Sequence, residues 1–245
     1  MLLTLCVVGV FAVFPYVLTV QKEILEKMHI PLPVFFLVQL VQSTVLFGIA
    51  IFLGLLLAPK VGFSYPILEA LVSGRKVSKL FQSLLPLALL SGALSAVLII
   101  VLDYFFMSSG ITLGQVSAKI PLWERLLVPL YGGVNEEILL RLFLMTLFVW
   151  LTAKVKHTTK GAPTNAGIWI SLVVSTVLFG LGHLPITASV TALTPFVIFR
   201  AILLNGIGGM VFGWLYWKKG LEAGMIAHFT ADVVIHVIFP SLLLI

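Results

Sequence analysis

Apolar residues in this chain run for around twenty positions at a time, without the alternation of polar and apolar positions that a membrane strand would show. A transmembrane helix needs about 20 such residues, whereas a membrane β-barrel is written in alternating segments of about ten. The pattern predicts helices, with seven spans at about 2–20, 34–58, 84–107, 122–152, 167–187, 193–217 and 221–244. The fourth run is too long for one bilayer crossing. It is expected to open with an interfacial segment around Pro121-Leu122-Trp123-Glu124-Arg125 and to break near Pro129 or at Gly132-Gly133. Glycines interrupt the fifth run, which stops at Pro185. Between the second and third, Leu68, Leu71, Val72, Leu80 and Phe81 accompany Arg75, Lys76 and Lys79. That mixture reads as an amphipathic helix on the membrane surface, interrupted at Gly74, or equally as an eighth, shorter element.

Composition narrows the class. The chain is 60% hydrophobic and 10% charged, against about 25% charged residues in a soluble domain, and its mean hydropathy is +1.18. We read an all-α, polytopic transmembrane helical bundle of one domain, 1–245, with no soluble appendage. The net charge of +6 does not point to nucleic acid, because Lys and Arg gather in short loops, as the positive-inside rule and anionic lipid produce. The second loop carries Lys60, Arg75, Lys76 and Lys79, the fourth Lys154, Lys156 and Lys160, and the sixth Lys218 and Lys219. The first has Lys22 and Lys27 beside Glu23 and Glu26, the third Lys119 and Arg125, and the fifth none. The even-numbered loops are expected to be cytoplasmic, with the N-terminus inside. Cys6 is the lone cysteine, so no intrachain disulfide forms and no cysteine metal site exists. Residues 2–20 lack a basic n-region and a small-residue cleavage site, and read as a retained span.

Against this apolar background, ionisable groups one helical turn apart stand out. A charge at the centre of a membrane helix costs roughly 2.5–3.5 kcal/mol, so such groups usually line a functional site. Three stretches hold them: Glu136-Glu137-Ile138-Leu139-Leu140-Arg141, Phe179-Gly180-Leu181-Gly182-His183 and His228-Phe229-Thr230-Ala231-Asp232. Glu136 and Glu137 lie about 100° apart on a helix and cannot aim at one spot. Glu137 and Arg141, at i,i+4 with the acid first, form an ion pair. Glu136 is left without a local counter-charge, which suits a group that takes and returns a proton. The bland reading is a buried ion-pair network.

His183 ends the fifth run, with Gly180 and Gly182 giving its backbone room; alone it reads equally well as a packing residue. His228 and Asp232 share a helix face, so the aspartate can orient or charge the imidazole, and His236 extends that face toward the helix end. Asp103 beside Tyr104 reads as an interfacial group, and Glu124 and Glu222 as solvated helix ends. Asn135 and Asn205 are polar groups at membrane depth that can hydrogen-bond into a site. Gly209/Gly213 and Gly220/Gly224 have the small-xxx-small spacing of closely packed helices.

Several membrane protease chemistries are absent. The chain contains no H-E-x-x-H zinc helix and no G-x-S-x-G or G-x-S-G serine setting. Neither aspartate, Asp103 or Asp232, follows G-x-G, so an aspartate pair is not expected. One glutamate, two histidines and an acid remain, which suit a water activated by carboxylate and imidazole with other polar groups holding the oxyanion.

The order E-E-x-x-x-R, F-x-x-x-H, H-x-x-x-[N/D] resembles the CPBP family of intramembrane proteases, which includes the CAAX-processing endopeptidase that trims prenylated proteins. The resemblance covers roughly residues 120–236, including the glycine-rich run Asn205–Tyr216; residues 1–119 match only as generic membrane helices. It implies a glutamate-dependent peptidase that needs neither metal nor cofactor. Glu136 matches the water-activating glutamate and His183 its partner base. His228 and Asp232 match the oxyanion pair, and Glu137 and Arg141 fall in supporting positions. Many relatives have asparagine where this chain has Asp232, which donates a hydrogen bond only when protonated.

The resulting expectation is an intramembrane endopeptidase acting on a membrane-associated or lipidated, CAAX-like substrate, with membrane lipid and that peptide or protein as its partners. The other classes weighed are a non-proteolytic protein on the same scaffold, for bacteriocin immunity or partner binding, and a proton-coupled transporter. Intact motif residues favour the enzyme, and the lack of a detectable repeat disfavours the transporter. Glu136, His183 and His228 must then converge. Counting from loop ends places His183 nearer the outer face than the other two, which predicts a broken or tilted fifth helix.

Overall fold

Seven helices of a computed structural model are long and apolar enough to cross a membrane, and its described residues are 1–28, 31–106 and 119–243. They are α1 (Leu2–Val20), α2 (Leu32–Val61), α3 (Ser78–Phe105), α4 (Leu122–Val155), α5 (Asn165–Ala188), α6 (Pro195–Lys219) and α7 (Leu221–Leu242). Among the described residues there is no strand beyond an isolated bridge between His157 and Pro163. The seven spans fall where the apolar runs predict them: α1 has the expected bounds, α2, α4 and α5 run a few residues longer, α3 starts six residues earlier, and α6 is shifted by two. The expected ends at 107 and 244 lie outside the described residues.

α4 and α5 are not regular. α4 begins as a short helix, Leu122–Arg125, turns at Leu126 and Leu127, and resumes at Val128. It then widens into π-helical turns over Tyr131–Glu136 and Ile138–Met145 before ending as an α-helix, Thr146–Val155. Wide turns of this kind recur at functional sites because they re-aim side chains without ending the helix. Here Glu136 closes the first stretch and Glu137 stands between the two. The Thr146 hydroxyl donates to the Arg141 carbonyl, five residues back, at 3.0 Å. α5 is helical over Asn165–Gly182 and again over Leu184–Ala188, and the junction between the two pieces is His183. Pro185 explains it, since proline lacks the N–H that would continue the ladder. Threonine hydroxyls cap two helix starts: Thr164 accepts from Gly167 N at 3.1 Å and Thr194 from Val197 N at 3.3 Å.

Leucines and valines such as Leu37, Val41, Leu90 and Leu94 cover the lipid-facing outside, where they are exposed. Helix contacts inside therefore depend on close packing. α3 lies on α7 through Ala88, Gly92 and Ala96, and a Cβ at Gly92 would strike the Ala227 carbonyl. α5 packs on α6 through Gly180, whose Cβ would stand 2.6 Å from Ile202 Cα, and through Thr176, which faces Gly209. Gly213 and Gly224 are also close-packed, against Leu172 and against Glu137 and Phe212. Gly220 has a different reason: with φ +100° it makes the turn between α6 and α7. α4 lies against α1, α2 and α7, near the centre of the bundle.

Three expectations are corrected. The surface helix covers only Pro66–Val72; Gly74 turns the chain at φ +66°, and Leu80 and Phe81 already belong to α3. Glu124 and Arg125 are buried, and Arg125 Nη1 donates to the His236 carbonyl at 3.4 Å. Glu222 is no solvated end, because its Oε1 accepts from the Leu68 backbone N–H at 2.7 Å, tying the short helix to α7. In the last two cases a polar group near a helix end satisfies a backbone atom of a neighbouring segment, which local sequence does not reveal.

Candidate active site

Glu136, His183 and His228 come from α4, the break in α5 and the middle of α7, and they meet. His183 Nε2 lies 4.0 Å from Glu136 Oε1, and His228 Nε2 lies 3.5 Å from Glu136 Oε2. Each carboxylate oxygen thus faces one imidazole. The break at His183 accounts for the convergence, since it carries the ring out of the α5 ladder.

The rings are held by hydrogen bonds on their far sides. His183 Nδ1 is 2.9 Å from the Phe179 carbonyl. A carbonyl only accepts, so Nδ1 carries the hydrogen and Nε2 presents its lone pair toward Glu136 when the ring is neutral. His228 Nδ1 donates in the same way to Glu137 Oε1 at 2.8 Å. Phe212 stacks on the His228 ring, with centroids 4.6 Å apart and 22° between the planes, and Phe179 stands edge-on to both imidazoles.

Glu137 does more than its local spacing indicates. Its Oε1 sits 3.3 Å from Arg141 Nη1 and also accepts from His228, and all three residues are buried. Arg141 reaches onward to the Gly209 carbonyl at 3.4 Å and lies 5.0 Å from the Phe179 ring centroid. One carboxylate therefore joins α4 and α7, and through Arg141 reaches α6. Asp232 does not orient His228 by direct bonding. Its Oδ1 is 3.8 Å from Nε2, beyond hydrogen-bond range, on the same side as Glu136. A Cβ at Gly132 would collide with the Asp232 carboxylate and come 3.2 Å from His228 Nε2, so glycine is required there for close approach.

A cavity of about 540 Å³ holds the site, within the usual range of ligand pockets. Its reactive end carries Glu136, His183, His228 and Asp232, and its apolar walls include Val13 and Phe14 of α1 and Phe35 of α2. It extends to Gln21 and to Val190 and Thr191, at the end of the bundle where α1 and α5 terminate. His236 and Asn205 also line it, although Asn205 Nδ2 is engaged by the Ala201 carbonyl at 2.8 Å. Asn135 points elsewhere: buried, it donates to the Cys6 carbonyl at 2.9 Å and ties α1 to α4.

Sequence reasoning missed one charged pair. Asp103 is buried, not interfacial, and its Oδ1 accepts from Arg200 Nε at 2.9 Å and from Nη2. The available signal was Arg200 itself, the one basic residue in its span away from the helix end.

Among the described residues, no three His, Cys, Asp or Glu side chains are grouped to hold a metal ion. Glu137, a further carboxylate beside His228, is engaged by Arg141 and by His228 Nδ1.

Residues 118–234 match the family model of type II CAAX prenyl endopeptidases, Rce1-like. That stretch contains Glu136, Glu137, Arg141, His183, His228 and Asp232. No curated protein and no solved structure compared with the chain gives a match.

Proposed function

Because the chain belongs, through residues 118–234, to the CAAX-processing protease family, we propose that it is a glutamate-dependent intramembrane endopeptidase. Its substrate is a membrane-associated or lipidated peptide or protein. The observation that carries this reading is the pair of imidazoles facing the two oxygens of Glu136, at 4.0 and 3.5 Å. Such gaps are long for direct bonds and within the span of one shared water, the geometry general acid–base catalysis requires.

In this reading a water between Glu136 and His183 gives up a proton as its oxygen attacks the peptide carbonyl. The carbonyl oxygen becomes the oxyanion, which accepts a hydrogen bond from His228 Nε2 in its imidazolium form. Glu137 holds that ring by Nδ1 and balances its charge, with Asp232 beside it. The proton taken from water then passes to the leaving amine nitrogen as the C–N bond breaks. The apolar walls receive the lipid or apolar side chains of the substrate. No metal takes part, and no nucleic acid is a partner. The Lys- and Arg-rich loops support a cell-membrane protein with a cytoplasmic N-terminus.

The test uses purified protein and a farnesylated peptide. Cleavage is expected in the unsubstituted chain and is expected to fall by about 10²–10⁴ in Glu136→Gln or His183→Ala, with insertion and folding retained. Prolonged 1,10-phenanthroline treatment is expected to leave the rate unchanged. Full activity in Glu136→Gln, or loss on chelation with recovery on zinc return, overturns the reading.

A further inference from the structure

Gln39 and Ser43 are polar groups on the cavity wall that the proposed chemistry does not use. They belong to α2, outside the stretch that matches the family, and stand one helical turn apart, with Phe35 a turn before them on the same cavity-lining face. Neither side chain makes a hydrogen bond among the described residues. Ser95, Ser171 and Thr230, by contrast, donate their hydroxyls to carbonyls three or four residues back in their own helices. The Gln39 amide has two N–H donors and an acceptor, and leaving them unpaired within a membrane span is costly. Both groups are therefore suited to a partner that enters the cavity.

Spacing identifies that partner. Four residues of helix rise about 6 Å. Two residues of extended chain rise about 6.4–6.8 Å and return the backbone groups to the same edge. A substrate cleaved here must be extended, because a helix keeps its carbonyls in its own ladder. In an apolar cavity its N–H and C=O groups then need partners. Contacts on either side of the pair set its level. Gly9 of α1 meets Asn135 and Phe14 packs on Phe36, while Gly54 of α2 meets Leu142. Counted from either contact at 1.5 Å per residue, Ser43 lies within about 8 Å of Glu136 along the bundle. That is two or three residues of extended chain.

Resting on the endopeptidase reading, we propose that Gln39 and Ser43 bind the backbone of the extended substrate beside the cleaved bond. Gln39 Oε1 accepts from the N–H, and Nε2 donates to the C=O, of one substrate residue. Ser43 Oγ donates to the C=O of the residue two positions away. Main-chain hydrogen bonds of this kind give affinity without reading side chains. The pair selects a segment that is extended at this point over one that stays helical. It also disfavours proline at the position facing Gln39, since proline has no N–H to offer.

The experiment measures binding and cleavage of a fluorescent farnesylated peptide by the full chain in phosphatidylcholine nanodiscs. The parent peptide is compared with versions in which an ester replaces one amide, scanned over the four positions on either side of the cleaved bond. Binding is read in the Glu136→Gln chain, so that it does not depend on turnover. At one position the ester, which removes the N–H, is expected to weaken binding about 3–10-fold. Gln39→Leu should weaken the parent peptide by a similar factor and abolish the ester effect at that position, with KM rising more than kcat falls. Ser43→Ala should weaken the parent similarly and leave the ester effect in place. Thermal unfolding of the substrate-free chain is expected to be unchanged by both substitutions, whereas a merely structural role would lower it. An ester effect that is the same at every position, or that persists in folded Gln39→Leu, overturns the proposal and leaves water or lipid as what the pair holds. Should Gln39→Leu fail to fold, Ser43→Ala decides, and parent binding undiminished there overturns it. Cleavage of the parent without a position-dependent ester effect would leave the endopeptidase standing and remove the backbone site. Position-dependent binding without cleavage would do the reverse.

Discussion

Glu136 and Glu137 are neighbours with opposite environments, and their substitutions should separate accordingly. Glu136 lies on the cavity wall with two histidines facing it; Glu137 is fully buried between Arg141 and His228. Glu136→Gln is expected to unfold normally in detergent and to have lost cleavage. Glu137→Gln should lower folded yield and activity together, because it leaves Arg141 buried without its ion pair, a loss of about 3–5 kcal/mol, and removes the acceptor that positions His228. Thermal unfolding measured beside cleavage distinguishes the two, and a stable, inactive Glu137→Gln would contradict the structural share of its role. Asp232→Asn is expected to keep substantial activity, since the carboxylate stands 3.8 Å from Nε2 and an amide there still donates toward the oxyanion. A fall in kcat of tens of fold would show that the negative charge itself is needed. At this scale the i,i+4 pair Glu137–Arg141 was legible from spacing. The bond from Glu137 to His228 was not, because 91 residues separate them and only the packing of α4 on α7 joins them.

The chain stays helical through Gly132-Gly133 and through Gly180 to Gly182. The helices were legible because bilayer thickness imposes a length on each apolar run, and the breaks in α4 and α5 because proline interrupts a ladder whatever surrounds it. What each glycine packs against was not. Gly180 and Gly182 look alike in sequence, yet a Cβ at Gly180 would stand 2.6 Å from the backbone of Ile202, while one at Gly182 meets nothing within 4 Å. Gly180→Ala is therefore expected to push α5 from α6 and destabilise the protein by about 1–3 kcal/mol. It should also displace His183 and reduce cleavage. Gly182→Ala is expected to leave both unchanged. Equal effects of the two changes, read by unfolding and by turnover, would show that α5 does not pack on α6 at this point. Asp103 and Arg200 illustrate the same limit: two isolated charges in separate spans become a pair only once α3 and α6 are adjacent.

For the whole molecule, the distribution of charge and the direction of the cavity are linked. The basic loops around Arg75, Lys156 and Lys218 join helices at one end of the bundle, while the cavity extends to Gln21 and Thr191 at the other. If the basic end is cytoplasmic, the orientation the positive-inside rule favours, substrate reaches the site from the outer face or sideways from the bilayer. A chain end lipidated in the cytosol would then have to enter through the membrane, so access and substrate class are decided by one measurement. Cys6 is completely buried, which makes a cysteine placed in an exposed loop the accessible thiol for an impermeant maleimide. Ala192→Cys, beside the cavity end, is expected to label in intact cells, and Lys160→Cys only after lysis. The reverse pattern would turn the bundle over and open the cavity to the cytoplasm, where prenylated chain ends are made. It would also break the positive-inside rule at three loops together, a deviation for which the distribution of Lys and Arg offers no cause.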